Sequence, residues 1–204
     1  MTIFLFFQIT FVCLLGAMSP GPSMIVVINN AIFKNKVNGI ITALGHGLGI
    51  GIYASFAVLG IGIVIQTNLM LFNLLKIISI FFLFYMGIQA ILKRNQLEFK
   101  QNNIAESGKS FFQGLSISIL NPKILIWFIA IYSQFMSLNN DIYFNLWLIL
   151  IASIVDALWY ILLVNLVTLK GVHDQIKRNL QFMRKIIGFL FLLISIILIV
   201  DLVK

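Results

Sequence analysis

Six long apolar segments run along this 204-residue chain, at roughly 3–28, 39–65, 69–92, 111–135, 142–169 and 184–202, with polar stretches between them. A membrane-crossing helix needs about 20 apolar residues, so each segment predicts one span, and the first is long enough to tilt or break. The longest polar connection, 93–110, divides the chain into 1–92 and 111–204, each with three spans. The pattern therefore predicts an all-α polytopic membrane protein, a single transmembrane domain over 1–204 with a cytoplasmic linker at 93–110. Three spans per half means that the second half enters the membrane in the opposite sense. The expected arrangement is two inverted three-helix repeats, on which many secondary transporters are built.

Two of the six segments are interrupted at corresponding places. The first carries "GAMSPGPSMIVV" and the fourth "ISILNPKILIWF". A proline inside a helix has no N–H and clashes with the carbonyl four residues back. Pro20 and Pro22 thus take the helical partners of Gly16 and Met18, and Pro122 takes that of Ser118. At about 1.5 Å per residue, the two breaks fall within roughly 10 Å of each other in depth. Paired interruptions of this kind are the strongest sequence pointer to a transporter's binding site.

Composition sharpens the class. The chain is 61% hydrophobic and 10% charged, against about 25% charged in soluble domains. Eleven of the fourteen Lys and Arg fall in the 1–2, 3–4 and 5–6 connections, all on one side. The positive-inside rule makes those loops cytoplasmic and places both termini outside. The net charge of +8 is therefore a topology signal and gives no reason to expect nucleic acid as a partner. No Lys or Arg precedes the first apolar run, so it reads as a retained span and not a signal peptide. Cys13 is the only cysteine, which rules out an intrachain disulfide or a thiolate metal cluster; it reads as a small buried apolar residue.

Ionisable residues at depth are candidates for function. Asp156 lies near the middle of the fifth span and Lys123 at nearly the same depth in the fourth, where the two are expected to pair when the site is empty. His46 falls in the second span and can carry a proton near neutral pH or bridge helices. The glycines around it, Gly45, Gly47, Gly49 and Gly51, form overlapping GxxxG pairs that predict close helix contacts on two faces. Asn29 and Asn30 follow the first break near the cytoplasmic end of the span, where simple solvation explains them as well as a role at the break does. A zwitterionic ligand suits this set: a restarted helix offers N–H groups to a carboxylate, and freed carbonyls with Asp156 can take an ammonium. The reading assigns substrate binding to Pro20, Gly21, Pro22, Ser118, Asn121, Pro122, Lys123 and Asp156, and a coupling proton to Asp156 or His46.

Other classes fit less well. "ESGKS" at Glu106 imitates a phosphate loop, but its first glycine position is Asn103 and no strand precedes it. There is no HExxH, GxSxG or second intramembrane His, so an enzyme is not expected, nor a cofactor or metal. An exporter of another small solute or a metal cation, or a non-transporting membrane subunit, stays open. The apolar helix faces would meet lipid or a second copy equally, which leaves a homo-oligomer open.

The residues also resemble a known family. "MSPGPSMIVVINNAIFKNKVNGIITALGHGLG", "LLKIISIFFLFYMGIQAIL", "FFQGLSISILNPKILIWFIAIYSQF" and "DALWY" are similar to successive spans of the lysine-exporter (LysE) family, which includes the homoserine/threonine-efflux branch. The likeness covers nearly the whole chain. It departs at Tyr132-Ser133-Gln134-Phe135, where the family often has Pro-Gln-Phe, and at usually small positions that are Ile or Phe here. The resemblance implies a bacterial inner-membrane carrier that exports amino acids or close derivatives by proton exchange.

Overall fold

The computed structural model describes residues 3–92, 107–136, 141–169 and 172–203, and these form helices with no strand among them. Eight α-helices follow in order: α1 (Ile3–Met18), α2 (Pro22–Asn29), α3 (Lys36–Thr67), α4 (Leu69–Leu92), α5 (Ser107–Ile119), α6 (Pro122–Met136), α7 (Ile142–Val167) and α8 (Val172–Val203). A π-helical turn, Asn30–Lys34, extends α2. Four helices, α3, α4, α7 and α8, are each long and apolar enough to cross a membrane. Two bent pairs make up to six: α1 with α2 and its π turn, bent by 71°, and α5 with α6, bent by 58°. The basic linker expected at 93–110 lies largely outside the described residues; within them, α5 already begins at Ser107.

The surface is the inverse of a soluble protein's. Phe56, Leu59, Phe81, Leu158 and Phe189 are each at least 60% exposed, while Asn30, Thr42, His46, Ser118 and Asp156 are buried. Apolar side chains outside and polar ones within is the arrangement that a bilayer rewards, because lipid tails are as apolar as leucine. Together with its apolar helices, this makes the chain a membrane protein.

Local sequence explains where the helices begin and bend. Asn35 caps α3, its Oδ1 accepting from Asn38 N at 2.9 Å, and Pro22 opens α2 at a first-turn position, where its missing N–H costs nothing. The first span is longer than expected: α2 and its π turn run to Lys34 and not to about residue 28, because no Gly or Pro stops them. Likewise α8 extends back to Val172, well before the apolar run at 184–202.

The glycines of α3 meet two neighbours, as their spacing predicts. A Cβ on Gly45 or Gly49 would run into Phe111 or Ser118 of α5. On the other face, a Cβ on Gly47 would lie 2.7 Å from the Cβ of Ala157 on α7. Gly114 of α5 reciprocates, facing the Thr42 carbonyl. α5 is thus seated directly on the α3 backbone. Gly114→Ala is expected to lower the thermal stability of the purified protein by about 1–3 kcal/mol, the usual cost of overpacking. Gly60→Ala, with nothing within 4 Å of the added carbon, should leave the melting temperature unchanged.

Candidate functional site

The two helix breaks meet around one buried cavity of about 60 Å³. Ser19, Gly21 and Ser23 reach it from the first break, Asn121 and Lys123 from the second, and His46, Asp156 and Tyr160 from α3 and α7. At 10–15 Å³ per water centre, this space holds a few waters, or the polar end of a small ligand. Trp127 and Phe191 form part of its apolar wall, with ring centroids 5.0 Å apart.

Asp156 is buried and bonds His46: Nδ1 of the imidazole lies 2.6 Å from the carboxylate Oδ2. The other ring nitrogen, Nε2, is buried and has no hydrogen-bond partner. Tyr160, one turn along α7 from Asp156, packs edge-on against the imidazole at 4.9 Å between centroids and fixes the plane of the ring. Lys123 reaches across to the opposite break, where Nζ donates to Ser19 Oγ at 2.6 Å.

The Lys123–Asp156 pair expected from the sequence is therefore not formed. Each charge has a nearer partner, because Lys123 points from α6 toward α1 whereas Asp156 points from α7 toward α3. Both still face the same cavity, one cation and one carboxylate, without touching each other.

The freed carbonyls also behave differently from expectation. Gly16 O accepts from Ser19 N at 3.2 Å, and Ser118 O from Asn121 N at 3.4 Å. The Ile119 carbonyl takes the Tyr53 hydroxyl. In hydrocarbon an unpaired carbonyl costs several kcal/mol; those of Gly16, Ser118 and Ile119 are each paired within the protein, and Asp156 stays as the acidic acceptor at the cavity. Ser118 itself is fully buried, donates to Leu115 O at 2.7 Å and packs against Gly49. It is a packing residue outside the cavity wall. Pro20 and Pro22 also lie outside that wall and act by bending the chain.

The two restarted helices differ at their first turns. Asn121 caps α6, its Oδ1 accepting from Lys123 N at 3.1 Å. Gly21, the residue before α2, has no side chain with which to cap it. The positive end of α2 is thus left open beside Ser23 at the cavity.

Sequence reasoning missed several participants. Tyr160 was legible in "DALWY", since Asp156 and Tyr160 are four apart and share a helix face. Ser19 and Ser23 flank the prolines and carried no separate signal. Asn30 is not a solvated end residue: it is buried, and Nδ2 donates to Thr42 Oγ1 at 2.7 Å and to Gln113 Oε1 at 2.9 Å. Nearby, Lys34 Nζ donates to Ser110 Oγ and Gln113 Oε1 at 3.0 and 3.2 Å, and Ser110 Oγ to Asn38 Oδ1 at 2.9 Å. These bonds tie α2 with its π turn and α5 to the start of α3. Among the described residues no three His, Cys, Asp or Glu side chains form a metal-binding group.

A cavity between broken helices, with a few polar groups set in an apolar wall inside an apolar-surfaced helical bundle, defines the class: a polytopic membrane protein with an internal site. Residues 14–202 match the model of the LysE type translocators, and the chain belongs to that family. It is 30% identical to the uncharacterized membrane protein YrhP of Bacillus subtilis (strain 168) over 161 residues, covering 72% of this chain and 76% of that protein. It is 28% identical to the threonine efflux protein of Escherichia coli (strain K12) over 193 residues, covering 92% and 93%. The threonine efflux protein of Salmonella typhi is 26% identical over 192 residues, with the same coverage. No solved structure matches.

Proposed function

We propose that this chain exports an amino acid or a close derivative from the cytoplasm in exchange for protons, by alternating access to the cavity between its broken helices. The observation that carries the reading is the convergence of Lys123 and the His46–Asp156 pair on that cavity. A zwitterion matches it without adding net charge. The carboxylate goes to the Lys123 ammonium and the open N-terminus of α2, and the ammonium goes to Asp156. A proton arriving from outside settles on the His46–Asp156 pair. It neutralises the carboxylate that held the ammonium, so proton binding favours release. The likeness to threonine efflux proteins makes threonine the first substrate to test.

Inverted repeats fit the packing. If α1–α4 and α5–α8 are equivalent, α3 corresponds to α7 and α4 to α8, and both pairs are in contact. The reciprocal contacts α1 with α7 and α5 with α3 are both made. At the α4–α8 crossing, a Cβ on Gly87 would lie 2.8 Å from Gly188 O, and one on Gly188 2.8 Å from Gly87 O. With the basic loops cytoplasmic and both termini outside, the Asn30–Gln113–Lys34–Ser110 network is the seal between cavity and cytoplasm. It must open to admit substrate.

Uptake of labelled threonine into inside-out vesicles tests the reading. Accumulation is expected when the vesicle interior is acidic and not when the proton gradient is collapsed. Failure with every amino acid tried would overturn the substrate class, and accumulation indifferent to the gradient would overturn the exchange. Pro20→Ala with Pro22→Ala should let the first span run on as a straight helix. The protein should stay in the membrane and its export should fall below detection, because Gly21 and Ser23 would leave the cavity.

A further inference from the structure

Between α2 with its π turn and α5, on the side of the basic loops, lies a second crevice of about 420 Å³ that shares no residue with the central cavity. Lys34 and Lys109 stand in its walls, with Asn29 and Gln113, and none of the described residues that line it is a carboxylate. Lys34 gives two hydrogen bonds to Ser110 and Gln113; its ammonium has three donors, so one is left. Oδ1 of Asn29 is buried and has no hydrogen-bond partner, which leaves an acceptor without a donor. The lining residues Phe112 and Leu120 are 64% and 76% exposed. On a membrane protein such side chains meet acyl chains.

We propose that this crevice binds the headgroup of an anionic phospholipid. The phosphate sits between the Lys34 and Lys109 ammonium groups, a headgroup hydroxyl donates to Asn29 Oδ1, and the acyl chains run over Phe112 and Leu120. Two cations, with no carboxylate among the described lining residues, select an anion, the apolar rim selects a lipid over a soluble ion, and the unpartnered acceptor on Asn29 selects a hydroxylated headgroup such as glycerol. Basic pockets between helices near a membrane surface recognise such headgroups by this chemistry. The proposal is independent of what the central cavity carries.

The test is native mass spectrometry of the purified full-length chain in mild detergent, offered phosphatidylglycerol, phosphatidic acid, phosphatidylcholine or inorganic phosphate. Phosphatidylglycerol should be retained best and phosphatidylcholine least, and inorganic phosphate should not displace the lipid. Lys109→Gln should weaken phosphatidylglycerol retention roughly five-fold, the equivalent of about 1 kcal/mol per basic residue. Lys109→Arg should retain it fully, and Asn29→Leu should erase the preference for phosphatidylglycerol over phosphatidic acid. Equal retention of phosphatidylcholine, or undiminished retention by Lys109→Gln, would overturn the site. Displacement by inorganic phosphate would overturn the lipid as its occupant.

Discussion

His46→Ala is expected to cut the yield of folded protein sharply and to abolish gradient-driven efflux. The substitution leaves the buried Asp156 carboxylate without the imidazole that now bonds it at 2.6 Å. Leaving a buried carboxylate without its hydrogen-bond partner costs more than the roughly 1–3 kcal/mol of a neutral group, because the charge left behind is desolvated and unpaired. Asp156→Asn should be milder for folding, since an amide can still hydrogen-bond the ring. It should nevertheless lose all response to a proton gradient, because no carboxylate remains to be neutralised. Combining His46→Ala with Asp156→Asn should restore folded yield without restoring export. The same rescue is not expected for Lys123→Ala with Asp156→Asn, since those two side chains do not touch. Size-exclusion yield and vesicle uptake read both quantities. A His46→Ala protein that still exports in response to the gradient would place the coupling proton elsewhere.

The elements behind this expectation were unevenly legible in the sequence. All six apolar segments and both breaks could be read, because bilayer thickness sets segment length and proline has one effect on helical backbone. Contact on two faces of α3 could be read too, since glycines at alternate positions point to opposite sides of a helix. Partner choice could not. Depth placed Lys123 and Asp156 at the same level, but level says nothing of rotation about the helix axis. That rotation sends Lys123 to Ser19 and Asp156 to His46. The Asn30–Gln113 contact joins residues 83 apart in sequence, and neither residue carries a motif. Such a pair becomes visible only once α5 is seated on α3. Even the Gly16 and Ser118 carbonyls freed by proline were misjudged, because re-pairing with a residue three along depends on the local turn.

Lys123→Met is the complementary expectation, with its effect on binding and not on coupling. If the substrate carboxylate docks on this ammonium, losing it removes a charge-assisted contact worth about 1.5–3 kcal/mol. Affinity for an amino acid should then fall roughly ten- to a hundred-fold, at about 1.4 kcal/mol per decade. Folding should suffer less than in His46→Ala, because the substitution removes the buried charge itself and strands only a serine hydroxyl. Ser19→Ala isolates that hydroxyl. In the empty protein it holds Lys123 Nζ at 2.6 Å, so its loss should lower thermal stability by about 1–3 kcal/mol. Substrate affinity should be unchanged or slightly higher in Ser19→Ala, since the carboxylate no longer competes with the serine for the ammonium. Ligand-induced thermal stabilisation should therefore fall in Lys123→Met and be kept or slightly raised in Ser19→Ala. An amine with the same side chain but no carboxylate should bind the wild type and Lys123→Met alike. Undiminished amino-acid binding by Lys123→Met would instead place the carboxylate on the open N-terminus of α2 alone.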